Sequence, residues 1–135
     1  MPQNLIADSS ALAALLSRDD QHHRWIAAKA DGLPWPWLTC EVVLAETFHL
    51  LGKRGVPGIK ELLRNEVLTL AFDLGGQLEA VLDLMDKYAD VPMSLADACL
   101  VRMSEILPDP LLLTTDADFK IYRRHSRQIV PCLMP

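Results

Sequence analysis

The sequence contains no apolar run of the roughly 18 residues that a membrane-spanning helix requires. It also has few cysteines: Cys40, Cys99 and Cys132 are far apart and lack the paired spacing of a zinc site. We therefore expect reduced thiols in a cytoplasmic protein without membrane association. The segment before Arg18 lacks the basic residues of a signal peptide, and Asp8 interrupts its apolar residues, so we expect no signal peptide there.

Basic residues are also not in excess. The chain has 13 Lys and Arg residues against 18 Asp and Glu residues, which gives a net charge of −5. This balance argues against a protein that binds nucleic acid mainly through a basic surface. A negatively charged substrate stays compatible with the sequence if divalent cations neutralise an acidic site locally.

The sequence does contain a regular alternation of apolar runs and helical patterns. Half of the 135 residues are hydrophobic and 23% are charged, which is typical of one globular domain, expected here over residues 1–135. Strands are predicted at 4–7, 67–72, 111–114 and 128–131, with a short edge strand within 33–39. Helices are predicted at 9–17, 21–30, 39–53, 57–65, 77–88, 94–107 and 115–124. Continuous apolar strands separated by helices indicate an α/β fold with a mainly parallel sheet.

Acidic residues fall where such a sheet builds a ligand site, beyond the carboxyl ends of its strands. Asp8 directly follows the first strand, and Asp116 and Asp118 follow the strand at 111–114. Asp97 lies on an apolar stripe of its own helix. Each acid also has a purely structural explanation, because an acid can cap a helix and the S-x-x-D and T-x-x-D spacings form capping boxes. Both explanations stay open for each residue taken alone.

Glu46 has no such capping explanation. It lies seven residues after Thr39, in the middle of a predicted helix and beside an apolar stripe. An acid there is seldom buried without a partner, so it either reaches solvent and basic residues or faces a site. Together the acids predict one pocket, in which a divalent cation would relieve the repulsion between carboxylates. Mg²⁺ and Mn²⁺ prefer carboxylate oxygens and water, and such sites hydrolyse phosphodiesters with a metal-activated water.

Four segments occur together in an order and spacing typical of one family. They are IADSSALAALL, LTCEVVLAETFHLLGKRG, MSLADACLVRMSE and LLLTTDADFKIYRRHSR. Over residues 4–131 the sequence resembles the PIN-domain family, and more narrowly the VapC-like toxin ribonucleases of bacterial toxin–antitoxin pairs. The resemblance implies a three-layer α/β/α sandwich with a parallel sheet of four or five strands. It also implies a Mg²⁺- or Mn²⁺-dependent endoribonuclease that cleaves single-stranded RNA.

The resemblance assigns roles to individual positions. The acidic quartet of the family, catalytic and metal-binding, falls on Asp8, Glu46, Asp97 and Asp116. Asp118 matches a further acid that would support a second ion, and Ser9 and Thr114 match supporting hydroxyl residues. The resemblance further implies a homodimer and a small antitoxin whose tail blocks the site.

Basic and aromatic residues offer further candidates for RNA contact. Lys120, Arg123 and Arg124 follow the acidic loop and could bind phosphates, or else stabilise a helix C-terminus on a solvated face. Trp35 and Trp37 could stack on bases, although packing of their Pro-rich connection explains them more simply.

Two other classes of function remain compatible with the sequence. A phosphoacceptor receiver module needs an aspartate after a middle strand, for which Asp73 is the candidate, but no suitable lysine follows it. A PIN-fold binding module would keep the fold and the metal but act through protein contacts, without nuclease activity. Nuclease activity in Mg²⁺ or Mn²⁺ that a chelator quenches distinguishes the ribonuclease from both.

Overall fold

Strands and helices alternate along the chain, and the computed structural model describes them over residues 3–135. The seven strands within these residues are β1 (Asn4–Ala7), β2 (Trp37–Thr39), β3 (Leu68–Leu70), β4 (Pro110–Leu113), β5 (Arg123–Arg124), β6 (Gln128–Ile129) and β7 (Cys132–Leu133). The six α-helices in the same range are α1 (Ser9–Leu16), α2 (His23–Ala30), α3 (Glu41–Leu51), α4 (Val56–Arg64), α5 (Leu78–Lys87) and α6 (Leu95–Ile106). Short 3₁₀ turns cover Gly52–Arg54, Gly75–Gln77 and Ala117–Lys120.

Five of the strands described form one parallel sheet in the order β3-β2-β1-β4-β7. β1 lies at its centre and pairs with β4 from Asn4 opposite Pro110 to Ala7 opposite Leu113. Because the strands are parallel, their carboxyl ends meet at the same edge of the sheet. The segments that follow β1 and β4 are therefore neighbours, although they are far apart in the sequence.

Helices cover both faces of this sheet. In β1, Leu5 and Ala7 belong to a hydrophobic cluster with Leu12 of α1, whereas Ile6 belongs to a second cluster with Leu100 of α6. This alternation is the period of two that a strand buried on both faces requires. It confirms the expected three-layer α/β/α sandwich with a parallel sheet of five strands. No helix within residues 3–135 has both the length and the apolar character needed to cross a membrane.

The strand expected within 33–39 is β2, but the prediction that it lies at the edge is wrong. Trp37, its first residue, follows the last proline of the segment and donates its N–H to the carbonyl of Val67 at 2.7 Å. Its backbone is therefore free to pair on both sides, and it lies between β1 and β3. The edge is β3, in which only Leu68–Leu70 form a strand within the predicted range 67–72.

The strand expected at 128–131 does not join the main sheet. β6 pairs antiparallel with β5 in a two-stranded hairpin, and the fifth strand of the main sheet is β7. His125 and Ser126 close this hairpin with left-handed backbone angles, φ 48° and 68°. Because the hairpin begins so early, the helix expected at 115–124 is only the 3₁₀ turn Ala117–Lys120.

Candidate active site

The carboxyl edge of the sheet holds a buried acid, Asp8, directly after β1. The side chain is 3% exposed, and both of its oxygens accept hydrogen bonds. Oδ1 accepts from the Ser9 N–H at 2.7 Å, while Oδ2 accepts from the hydroxyls of Ser10 at 3.0 Å and Thr114 at 2.7 Å. Asp8 therefore caps α1 and is at the same time anchored to the segment after β4. The capping role and the site role that the sequence left open are both compatible with this position.

Asp8 has an unusual charge environment. Its pKa is raised from 3.8 to about 6, chiefly by burial and also by the negative charge of Asp97, although hydrogen bonds from the hydroxyls of Thr114 and Ser10 lower it. No basic side chain compensates this charge, since the only ion pair among residues 3–135 joins Arg102 and Glu105. A buried carboxylate in this setting favours either a proton or a cation.

Glu46 lies on α3 and reaches the same site. Its side chain is half-buried, and its Oε1 accepts a hydrogen bond from the Ser9 hydroxyl. The same hydroxyl lies 3.3 Å from Oδ1 of Asp8, so Ser9 connects the two acids. The mid-helix position thus brings Glu46 to Asp8, as the sequence pattern predicted. Ser9 is the contact that joins α1 and α3 at the site.

Asp97 on α6 performs two roles at once. Its backbone N–H donates to the Ser94 hydroxyl at 3.0 Å, which is the predicted cap of α6. Its Oδ2 accepts a hydrogen bond from the Tyr122 hydroxyl at 2.9 Å. Burial raises the pKa of Asp97, and repulsion from Asp116 acts in the same direction. A hydrogen bond from the Ser94 backbone to the Asp97 carboxylate lowers this pKa, so the capping box and the bond with Tyr122 share one side chain.

Asp116 and Asp118 complete the acidic edge after β4. The N–H of Asp116 donates to the Thr114 hydroxyl at 3.0 Å, and Oδ1 of Asp116 accepts from the N–H of Asp118 at 2.9 Å. Asp116 is therefore the cap of the 3₁₀ turn, and the expected capping box that starts at Thr115 is wrong. Thr114 bonds both Asp8 and Asp116, which links the ends of β1 and β4.

Tyr122 is a site residue that sequence reasoning missed. It is fully buried, with edge-on contacts to the rings of Tyr88 and Phe119 at centroid distances of 5.2 and 5.3 Å. Burial is the largest cause that raises the pKa of its hydroxyl, followed by Asp97 and then the charges of Asp118 and Asp116. The hydroxyl therefore lies in the field of three acids. The only sequence signal was a tyrosine shortly after the acidic loop, which also fits a core residue.

Replacing Tyr122 by phenylalanine tests whether its hydroxyl orients Asp97. We expect the affinity for Mn²⁺, measured by isothermal titration calorimetry, to fall about tenfold, since groups that orient metal-binding carboxylates commonly have effects of that size. Tyr88→Phe is the matched control, because the Tyr88 hydroxyl accepts from the N–H of Arg123 and bonds no acid. Equal Mn²⁺ affinities of the two variants would contradict the role.

The carboxylates of the acidic edge suit a hard divalent cation, but they do not surround one ion completely. Within the described part of the chain, no three His, Cys, Asp or Glu side chains are grouped so that they could hold one ion together. The acids do interact in pairs, Asp8 with Asp97 and Asp97 with Asp116. Mg²⁺ is commonly bound through one or two carboxylates and keeps several waters, which matches such pairs. Asp97 together with Asp8, or Asp97 together with Asp116, is the pair that could hold it.

The basic residues after the acidic loop have internal partners. Nη1 of Arg123 donates to the carbonyls of Lys120, Ile121 and Tyr122 at 2.6, 3.2 and 2.9 Å. Arg124 donates to a backbone carbonyl of α6, and its Nε is buried without a partner among residues 3–135. These contacts favour a structural role for both arginines, so phosphate binding stays a prediction. Of the three basic residues, only Lys120 is exposed.

The two tryptophans and Asp73 were further candidates from the sequence. Trp37 is buried in the core, as packing of the Pro-rich connection predicts, whereas Trp35 is 66% exposed. Asp73 follows β3 and is exposed. Because β3 is the edge strand, the middle-strand position that a receiver module requires is not met.

The protein is a parallel α/β sandwich, and acids without basic partners lie beyond its central strands. This fold and this site are typical of α/β proteins that use a divalent cation. The chain belongs to the PIN domain family, which matches residues 5–124. The PIN domain is generally a metal-dependent nuclease fold, which supports a hydrolase of the nuclease type. No curated protein shows significant similarity to the chain. Family membership removes the receiver module from the candidate functions.

Proposed function

We propose that the protein is a Mg²⁺- or Mn²⁺-dependent endoribonuclease that cleaves single-stranded RNA. The observation that carries the proposal is the environment of Asp8: a buried acid without a basic partner, connected through Ser9 to Glu46 and through Thr114 to Asp116. The contacts that connect acids at this edge support the roles that the resemblance assigns to Asp8, Glu46, Asp97 and Asp116.

Each acid has a role in the proposed reaction. Asp8, Asp97 and Asp116 would hold the divalent ion directly or through water, and Asp118 would support a second ion. A bound ion lowers the pKa of its water and shields the charge that grows on the phosphate. Glu46, fixed by the Ser9 hydroxyl, orients the attacking water in line with the bond that breaks. Cleavage leaves a 5′-phosphate on one fragment and a 3′-hydroxyl on the other.

We further propose that the protein is the toxin of a toxin–antitoxin pair in the cytoplasm, acting as a homodimer that a small antitoxin inhibits. The resemblance of the four acidic segments to VapC-like toxins supports this narrower role. Expression of the chain in bacteria should then arrest growth, and co-expression of a small protein encoded beside its gene should restore it. Growth arrest that persists with Asp8→Asn would contradict a toxin role based on RNA cleavage.

Cleavage of RNA by the purified chain tests the activity directly. We expect single-stranded RNA to be cut in Mn²⁺ or Mg²⁺, the fragments to carry 5′-phosphates, and a chelator to stop the reaction. Duplex RNA of the same sequence is the control for strand preference. If the chain binds RNA or protein but cuts neither substrate with either ion, it is a PIN-fold binding module and not a nuclease.

A further inference from the structure

A cleft of about 320 Å³ opens beside the acidic site, between α1, the segment that follows it and the C-terminal end of α3. We call it the α1–α3 cleft. Its wall nearest the site consists of Ser10 and Thr115. The Ser10 hydroxyl donates to Oδ2 of Asp8 at 3.0 Å and accepts from the N–H of Thr115 at 3.0 Å. One side chain thus borders both the cleft and the buried acid, so an occupant of the cleft is adjacent to the reacting groups.

The lining indicates an uncharged occupant with apolar faces. Ala13, Leu50 and Leu51 form the apolar part of the wall, and Leu50 is 57% exposed at a position with no core function. No Lys, Arg or His lines the cleft within the described residues, so nothing there would bind a phosphate. Apolar walls with a few polar groups are typical of pockets that bind small organic groups. In an RNA chain that reaches the acidic site, the group of this kind is a base.

Asp20 supplies the polar selectivity of the cleft. Its Oδ1 accepts from the N–H of His22 at 2.8 Å, which fixes the orientation of the carboxylate. Its Oδ2 has no hydrogen-bond partner, and no basic side chain pairs with it, among residues 3–135. A carboxylate accepts two parallel N–H donors, and guanine is the RNA base that presents two adjacent donors, N1–H and N2–H, on its Watson–Crick edge. The Ser17 hydroxyl lines the same cleft and can donate to the neighbouring O6.

We propose that the α1–α3 cleft binds a guanine base next to the cleaved bond and that Asp20 sets this preference. The inference rests on the proposed ribonuclease function and adds a substrate preference to it. The wild-type chain should cut guanine-containing sites at least about tenfold faster than sites with another base at the same position, since two well-placed hydrogen bonds discriminate by about that factor.

The test uses the full chain, Mn²⁺ and a pool of single-stranded RNAs with randomised bases, with the ends of the fragments read by sequencing. In Asp20→Asn, one oxygen is replaced by an N–H donor, so the ratio of guanine to other bases at the preferred position should fall towards one. Asp19→Asn is the matched control: it makes the same change in charge at the neighbouring, exposed residue that does not line the cleft. Leu50→Ala tests the apolar wall at an exposed position, and it should lower the same ratio.

The outcomes separate this proposal from the ribonuclease activity. If the wild-type chain cuts no RNA, the proposed function itself fails. If it cuts RNA without a base preference near the cleaved bond, or if Asp20→Asn keeps the guanine preference while its melting temperature matches that of wild type, the guanine site is overturned and the activity stands.

Discussion

Replacing Asp8 by asparagine should abolish RNA cleavage and yet leave the folded chain at least as stable at pH 7. The amide removes a negative charge that an activating cation needs, and losing about 4 kcal/mol of transition-state stabilisation slows a reaction roughly a thousandfold. The same change removes a buried charge whose ionisation is unfavourable, since burial raises the pKa of Asp8 to about 6. The hydroxyls of Ser10 and Thr114 can rotate to accept from the new N–H groups.

Initial cleavage rates in Mn²⁺ measure the loss of activity, and melting temperatures in chelator measure the stability. Asp73→Asn is the control, because it neutralises another acid that follows a strand but is exposed and distant from the central strands. That variant should keep both activity and stability. Full metal-dependent activity in both Asp8→Asn and Asp116→Asn would show that the acidic edge is not the active site.

In chelator, lowering the pH from 7 to about 4.5 should stabilise the wild-type chain relative to Asp8→Asn. Unfolded Asp8 releases its proton near pH 3.8 and folded Asp8 near pH 6, so between these values the folded state holds a proton that the unfolded state has lost. The contribution of Asp8 to the free energy of unfolding therefore increases as the pH falls through this window, and it decreases as the pH rises. A pKa rise from 3.8 to about 6 corresponds to about 3 kcal/mol.

Urea titrations of both chains at several pH values give the difference in unfolding free energy. Taking the difference cancels the ordinary titration of the other groups, including Asp97, whose pKa is also raised. We expect the wild-type chain to approach or overtake the variant as the pH falls. A difference that does not change between pH 7 and pH 4.5 would mean that Asp8 ionises in the folded chain as it does in water.

The parts of the fold that follow from local pattern could be predicted from the sequence. The apolar run Asn4–Ala7 forms the central strand, and Ser94 caps α6 as its spacing to Asp97 indicated. The place of a strand within the sheet follows from long-range pairing instead. β2 carries prolines before it, which suggested an edge, yet it is an inner strand because β3 pairs outside it. The short final strands depend on a hairpin turn that has no strong local signal.

The site shows the same division between local and long-range information. Positions after strands and a mid-helix glutamate were sufficient to identify Asp8, Asp116 and Glu46 as candidates that come together. The hydrogen bond from Tyr122 to Asp97 joins residues 25 positions apart through a core of aromatic rings, and no spacing rule contains it. Asp20 gives a similar case, because only the folded chain shows that it borders a cleft next to the site.

The hydrogen bond between Thr114 and Asp8 joins residues that are 106 positions apart, and it forms only when β4 pairs with β1. During synthesis, the first acid emerges from the ribosome long before its partners exist. A nascent chain that ends before β4 has neither the β1–β4 strand pair nor Asp116, one of the four acids. Under the proposed function, the acidic site is therefore assembled only after β4 has been made and has paired with β1, late in translation.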